Sequence, residues 1–529
     1  MAEGIKVSPF STRVMNLAHF VDQNARRLGN FPAFVWGGQS WNWTEFDARV
    51  QAMAAALIHE AGIEKGDRVL VQSQNCNQML ESMIACFRIG AVWVPANFRG
   101  TPDDLRWMAE LSGAKVLLCN AAFPKHAEIP APQIQACFAI GKADFGPNIE
   151  DLITRYRGSP VPLASVDRDD PAWFFFTSGT TGRPKASVLT HGQLAFVVNN
   201  HLCDLVPGVT HEDASLVVAP LSHGAGIHQL LMIARGAPTI LPASGKFDTD
   251  EIWTLVEKWR VTNLFTVPTI LKMLVEALGG HDHSSLRYVI YAGAPMYRTD
   301  QIRAMETLGP VLVQYFGLGE VTGAITYLPP NEHDASEGAR IGTCGFPRTG
   351  MQVQVQDETG AEVPFGETGE ICVVGPAVFA GYWDNPEANA KSFRDGWFCT
   401  GDLGNMDRQG YVYITGRQSD MYISGGSNIY PLEIEEKILT HPDVTETAVF
   451  GMPDPKWGEV GVVISALEPG ATLDGVALEA FLRERLASYK IPRQFYFWEA
   501  LPKTGYGKLS KLLLRNELTR RLADADAAP

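Results

Sequence analysis

The sequence predicts an α/β protein with a large α/β body, a β-rich segment behind it and a small α+β domain at the C-terminus. Three observations predict this. Helical and strand patterns alternate between residues 44 and 119, as they do when a parallel sheet is flanked by helices. Past residue 340 the texture changes to short alternating runs such as 351–356 (MQVQVQ), which suit a small antiparallel sheet or distorted barrel. From Pro431 the order becomes helix, strand, strand, helix, strand and a last basic helix, within a stretch of ordinary domain size.

The elements follow in order. Thr44 and Asp47 read as a capping box opening a helix. Its Phe46, Val50, Met53, Leu57 and Ile58 recur at helical spacing, and Gly62 closes it. Residues 68–72 read as a strand, 77–89 as a helix, 91–95 as a strand, 102–111 as a helix and 115–119 as a strand. Residues 120–168 are Pro-rich and weakly periodic, and read as a connection with a short helix. The apolar run 172–176 has the pattern of a buried strand. Further strands are expected at 215–219, 238–241, 263–266 and 286–292 with helices between, then at 370–374 and 411–414. The last helix is expected over 509–522.

At 529 residues the chain exceeds one ordinary domain and can bury large cores. Its 46% hydrophobic and 19% charged content is that of a soluble globular protein. A formal net charge of −15 argues against a nucleic-acid platform, so a polyphosphate site would need local positive charge. The eight cysteines show no Cys-x-x-Cys pair and no Cys/His cluster at metal spacing, which leads to the expectation of a reducing compartment and no structural zinc. No basic-then-apolar leader and no apolar run of membrane-spanning length is visible, and the expected location is cytoplasmic.

Several stretches carry chemistry. Thr177-Ser178-Gly179-Thr180-Thr181-Gly182-Arg183-Pro184-Lys185 follows the apolar strand 172–176. Its hydroxyls and glycine amides can donate to phosphate oxygens while Arg183 and Lys185 neutralise charge. The Walker A spacing is absent. His223 and Gly224 follow the strand 215–219, at the end where ligands bind in α/β proteins. Tyr291-Ala292-Gly293-Ala294-Pro295 and Gln314-Tyr315-Phe316-Gly317-Leu318-Gly319-Glu320 each leave another strand through glycines that permit close backbone approach. Asp402 closes Trp397-Phe398-Cys399-Thr400-Gly401-Asp402, where a carboxylate can accept both protons of a vicinal diol. Gly416-Arg417-Gln418-Ser419-Asp420, Ser424-Gly425-Gly426 and Pro502-Lys503-Thr504-Gly505-Tyr506-Gly507-Lys508 complete the series.

Taken in order from Phe174 to Lys508, these stretches resemble the adenylate-forming superfamily, and within it the acyl-CoA synthetases that act on fatty or aryl carboxylates. The resemblance implies two parallel-sheet subdomains and a β-rich subdomain within residues 1–418, and a mobile C-terminal domain over 419–529. It implies ATP, Mg²⁺ and coenzyme A as reactants and cofactors, a small carboxylic acid as substrate, and a homodimer as a family-level expectation. The expected reaction forms an acyl-adenylate with loss of pyrophosphate, then acyl-CoA with release of AMP.

The site residues implied are as follows. Thr177, Ser178, Gly179, Thr180, Thr181 and Lys185 hold the phosphates. Gly293, Ala294, Pro295, Tyr315, Phe316 and Gly317 meet AMP, and Asp402 and Arg417 hold the ribose. Glu320 holds the metal and Lys508 offsets charge on the transferring phosphorus. His223, Gly224, Gly293, Gly317, Gly319 and Gly323 line the acyl pocket, and their small or aromatic character points to an apolar aryl or medium- to long-chain fatty acid. Ser424, Gly425 and Gly426 face CoA, and Ser419 or Asp420 acts as hinge. Four positions depart from the family pattern: Ala186, Phe316, Gly319 and Ser419. Gly319 in place of the usual Thr is expected to leave room in the pocket, so that a larger residue there narrows the substrate range. Two alternatives stand beside the ligase reading: transfer of the acyl group to a carrier protein or amine, and non-catalytic nucleotide binding.

Overall fold

In the computed structural model, which describes residues 11–129, 131–177, 183–294, 296–334, 336, 340–424, 427–503 and 509–526, the chain divides into two compact units. The first comprises Met1–Arg340, Cys344–Gln352 and Val373–Phe398, and the second Ile341–Thr343, Val353–Cys372 and Cys399–Pro529. The β-rich stretches 353–372 and 399–418 thus group with the C-terminal residues.

Two sheets form the first unit. One has six strands in the order Ala136–Ile140, Val116–Asn120, Arg68–Gln72, Val92–Pro95, Pro171–Thr177, Lys185–Thr190. It is parallel except for its last, antiparallel pair. The other has nine strands, with a parallel centre built from Thr239–Ile240, Ser215–Val217, Asn263–Thr266, Tyr288–Tyr291 and Leu312–Phe316. Buried apolar runs such as Val69, Leu70 and Val71 explain the parallel strands, which are covered on both faces. Every residue of the helix Asn77–Ile89 is buried, so no face of it is left for solvent. Trp93 and Trp173, from adjacent strands, meet edge to face at 4.6 Å in this core.

Local signals set most boundaries. The helix Trp43–Ala61 begins earlier than the Thr44/Asp47 reading: Asn42 is its cap, accepting from Glu45 N while the Glu45 carboxylate accepts from Asn42 N. Gly62 ends it in the left-handed region at φ 62°, as expected. The stretch read as a connection carries the edge strand Ala136–Ile140 and the helix Ile149–Arg155. Each is short, five and seven residues, and the stretches around them are rich in Pro and Gly.

In the second unit residues 402–406 of the strand Trp397–Met406 pair antiparallel with Val412–Arg417. The C-terminal part follows the expected order, with Pro431–Ile438, Val444–Asp454, Gly458–Leu467, Gly475–Arg483, Gln494–Phe497 and Lys511–Asp526. A hairpin, Tyr422–Ser424 with Ser427–Ile429, precedes them. Ile434, Ile438, Val449, Val463, Leu478 and Leu482 make its core. No helix among the described residues is long and apolar enough to cross a membrane.

Burial holds three histidines neutral. His191, His228 and His333 are each pushed down to about 4, chiefly by desolvation. Folded values below the unfolded value of about 6.5 stabilise the fold fully above that pH, and the contribution is lost as pH falls towards 4. We expect the urea midpoint to fall between pH 6.5 and 4, each group adding a slope of up to about 1.4 kcal/mol per pH unit. His228→Asn should remove one proton from that dependence. A flat midpoint across the window would contradict the buried neutral state.

Candidate active site

The strand Pro171–Thr177 leads into the expected phosphate loop, and Thr177 pairs across the strand ladder with Lys185. Ser178, Gly179, Thr180 and Thr181 lie outside the described residues, as do Pro295, Gly425, Gly426 and Lys508. Glu320 sits in the short turn Gly319–Val321 and is 5% exposed. Its Oε1 accepts two hydrogen bonds, from Thr177 Oγ1 at 2.9 Å and from the Tyr382 hydroxyl at 2.9 Å. Burial, then the Glu320 charge, raises the Tyr382 phenol above its ordinary value, so it stays a donor. Lys185 Nζ stands 4.3 Å from the centre of the Tyr382 ring, a cation–π contact. Arg183 covers the Trp107 ring at 4.6 Å. A buried carboxylate flanked by a hydroxyl at the mouth of a phosphate loop is the hard oxygen donor set that magnesium takes together with phosphate oxygens.

Tyr382 is held by backbone. Val188 N donates to Gly381 O at 3.0 Å and Trp383 N to Ala186 O at 2.8 Å, so residues 380–383 run beside the strand Lys185–Thr190. Ala186 lies within that strand, fully buried and paired with Phe176. Extended backbone accepts Ala as readily as Gly, so this departure from the family pattern costs nothing structurally.

The residues expected to line an acyl pocket gather at the carboxyl ends of the strands, and rings occupy the room their glycines leave. His223 caps the helix Gly224–Arg235, its Nδ1 2.8 Å from Ser222 Oγ and its ring edge-on to Phe175 at 5.1 Å. A Cβ on Gly224 would come within 2.8 Å of the Phe265 ring. One on Gly323, at φ 77°, would strike Tyr315. Gly317 lies against the Gly323 backbone, 2.5 Å from where its Cβ would stand. Phe265 and Tyr315 stack at 5.8 Å.

One expectation changes here. Gly319 opens no free room: a Cβ there would stand 2.6 Å from the Phe175 ring and 2.9 Å from the Thr177 methyl. Tyr315 is buried on the opposite face of its strand from Phe316, stacked on Phe265 and set against Gly323. Phe316 is half-buried, and Gly293, at φ 83°, is exposed beside the half-buried Ala294.

In the second unit, Asp402 and Arg417 are cross-strand partners, and Arg417 Nε donates to Asp402 Oδ1 at 2.8 Å. Asp402 is 4% exposed whereas the Arg417 side chain is half exposed. Asp402 N donates to Thr400 Oγ1 at 3.1 Å, and that hydroxyl donates to Ile371 O at 2.7 Å, which fixes the turn presenting the carboxylate. Residues 417–420 make a second turn, closed by Asp420 N donating to Arg417 O at 3.0 Å. Ser419 is exposed, while Asp420 ion-pairs at 3.6 Å with Lys511, which also meets Glu435 at 2.9 Å. Ser424 lies at the inner end of the hairpin, opposite Ser427.

The sequence reading missed two contributors, Tyr382 and Phe175. Phe175 looked like one more core residue of an apolar strand. Tyr382 stands in Gly381-Tyr382-Trp383 behind an apolar run, a cue for a buried polar tip that only the fold brings to Glu320.

Comparison with known proteins agrees with this geometry. Residues 21–383 match the AMP-binding enzyme family and residues 433–508 match the AMP-binding enzyme C-terminal domain. The feruloyl-CoA synthase of Amycolatopsis sp is 37% identical over 96% of this chain and 99% of its own length. The indoleacetate–CoA ligase of Aromatoleum aromaticum is 32% identical over the same shares of the two chains. The o-succinylbenzoate CoA synthetase of Bacillus subtilis, solved with its acyl-adenylate intermediate, superposes with a TM-score of 0.83 at 29% identity, over 94% of this chain and 97% of that one. The chain therefore belongs to the AMP-binding enzyme family, as an ATP-dependent, AMP-forming carboxylate–CoA ligase.

Proposed function

We propose that this ligase activates an aromatic carboxylic acid. The observation that carries the reading is the ring-lined wall formed by Phe175, His223, Phe265 and Tyr315 at the carboxyl ends of the strands. Flat apolar walls favour a flat apolar guest, since aromatic pairs gain roughly 0.5–1.5 kcal/mol beyond their buried area. The relatives named for feruloyl-CoA and indoleacetate take acids of this class.

In the first half-reaction the carboxylate attacks the α-phosphorus of ATP, giving acyl-adenylate and pyrophosphate. Thr177, Ser178, Thr180, Thr181 and Lys185 hold the phosphates. Glu320 and Thr177 hold magnesium, which neutralises phosphate charge when bound. Asp402 and Arg417 orient the ribose, Gly293, Ala294, Pro295 and Phe316 the base, and His223 the carboxylate. Lys508 offsets the charge that builds on phosphorus, a kind of preorganised contact worth roughly a hundred- to a thousandfold in rate. In the second, the CoA thiolate attacks the activated carbonyl and AMP leaves. Residues 419–529 turn about the exposed Ser419, next to Asp420, which an ion pair ties to Lys511, and Ser424, Gly425 and Gly426 receive CoA. The acidic chain works in the cytoplasm.

The direct test follows AMP release from MgATP with aryl, fatty and small acids, with and without CoA, and thioester by mass spectrometry. Aryl acids should give AMP and thioester together. Turnover confined to fatty acids would overturn the aromatic assignment.

Tyr382→Phe removes one of two hydrogen bonds to the Glu320 carboxylate and should lower adenylation kcat/KM roughly ten- to hundredfold, with the circular dichroism spectrum unchanged. An unaltered rate would remove Glu320 from the role given to it. Gly319→Val drives a side chain into Phe175 and should depress adenylation of every acid and the melting temperature together. A narrowed acid profile at full stability would show instead that residue 319 faces the substrate.

A further inference from the structure

Beside the turn that presents Asp402, three residues of the second unit, Glu370, Cys372 and Cys399, approach one another from the neighbouring strands Gly369–Val374 and Trp397–Met406. Their ligand atoms all lie within 4.8 Å of one another. The Cys372 thiol donates to Cys399 Sγ across 3.7 Å. Residues 370 and 372 share a face of their strand because side chains alternate. The surrounding backbone is fixed: Glu370 Oε1 accepts Gly401 N–H at 3.0 Å, and the Thr400 hydroxyl donates to Ile371 O. Cys372 is fully buried, whereas Cys399 and Glu370 are half-buried and give a way in from solvent.

The spacing has a chemical meaning. Two thiolates bound about 2.3 Å from a tetrahedral zinc stand about 3.8 Å apart, which the observed sulfur separation matches. A disulfide needs about 2.05 Å, so the pair would have to close by well over an ångström to bond to itself. Two soft sulfurs with one carboxylate select zinc-like ions over magnesium or calcium, which prefer all-oxygen sets.

We propose that Cys372 Sγ, Cys399 Sγ and a Glu370 carboxylate oxygen form a binding site for one thiophilic divalent cation of the zinc class, with water in the fourth position. Binding releases the two thiol protons, because the thiolate is the ligand. It also draws Glu370 from Gly401 N–H, next to Asp402. If Asp402 holds the ribose as proposed above, occupancy weakens AMP binding. The metal site itself does not depend on that reading.

The test is titration of the reduced, full-length protein with Co²⁺ and then Zn²⁺, followed by absorption. One Co²⁺ per chain, with thiolate-to-metal charge transfer that Zn²⁺ abolishes, is expected. Cys399→Ser should abolish the band, and Glu370→Gln should weaken binding at least tenfold. Cys203→Ser, at an exposed thiol outside the cluster, should change nothing. Absence of the band in the parent protein, or its persistence at full strength in Cys399→Ser, overturns the site. Loss of two titratable thiols without metal, with a matching two-hydrogen mass decrease, would show a disulfide pair in its place.

Discussion

The active-site half carried by the first unit depends on keeping one ionised carboxylate buried. Glu320 is almost sealed from water, which carries a heavy penalty unless its charge is met. Two hydroxyls meet it, Thr177 from the strand entering the phosphate loop and Tyr382 from a segment some sixty residues downstream. Hydrogen bonds to a charged group contribute roughly 1.5–3 kcal/mol each. The same arrangement fixes Lys185, whose ammonium lies over the Tyr382 ring. Carboxylate, loop entrance and cation are therefore positioned by one shared tyrosine. That tyrosine is in turn held by backbone bonds to the strand bearing the cation.

A second constraint is steric and runs through glycine. Gly224, Gly317, Gly319 and Gly323 are not gaps; each stands where a side chain would collide with an aromatic ring or with backbone. Phe175, Phe265 and Tyr315 close onto that backbone. The result is a wall of apolar ring faces and edges at the strand ends, with His223 as its polar exception.

Much of this was legible in the sequence, and the limits are physical. The strand Arg68–Gln72 and the helix Asn77–Ile89 fell where periodicity put them, because strong local patterns and Gly caps agreed. Ala136–Ile140 was passed over, although it is a short apolar run ending at Gly141, because it is only five residues long within a Pro-rich stretch. At the site, motif order marked Glu320, Asp402, Arg417 and His223. Tyr382 was invisible because its partner is 62 residues away in the chain. Tyr315 and Phe316 are adjacent in sequence, yet strand alternation sends them to opposite faces. Cys372 and Cys399, 27 residues apart, show no metal-like spacing until two strands bring their sulfurs into contact.

The departure at Gly319 is best understood from these contacts. A threonine there would place its Cβ inside the van der Waals envelope of Phe175 and of the Thr177 methyl. With the Phe175 ring where it stands there is no room for a Cβ at 319, and a larger residue there would require the ring to shift. The ring gained is buried against His223 and Trp173, a contribution of roughly 1.5–3 kcal/mol for an aromatic side chain removed from water. What is given up, against the family pattern, is one hydroxyl at residue 319. Thr177, which stands in the same space and already donates to Glu320, keeps a hydroxyl at the loop entrance. Glycine at 319 therefore makes room for the Phe175 ring, and the Glu320 carboxylate keeps its partners Thr177 and Tyr382.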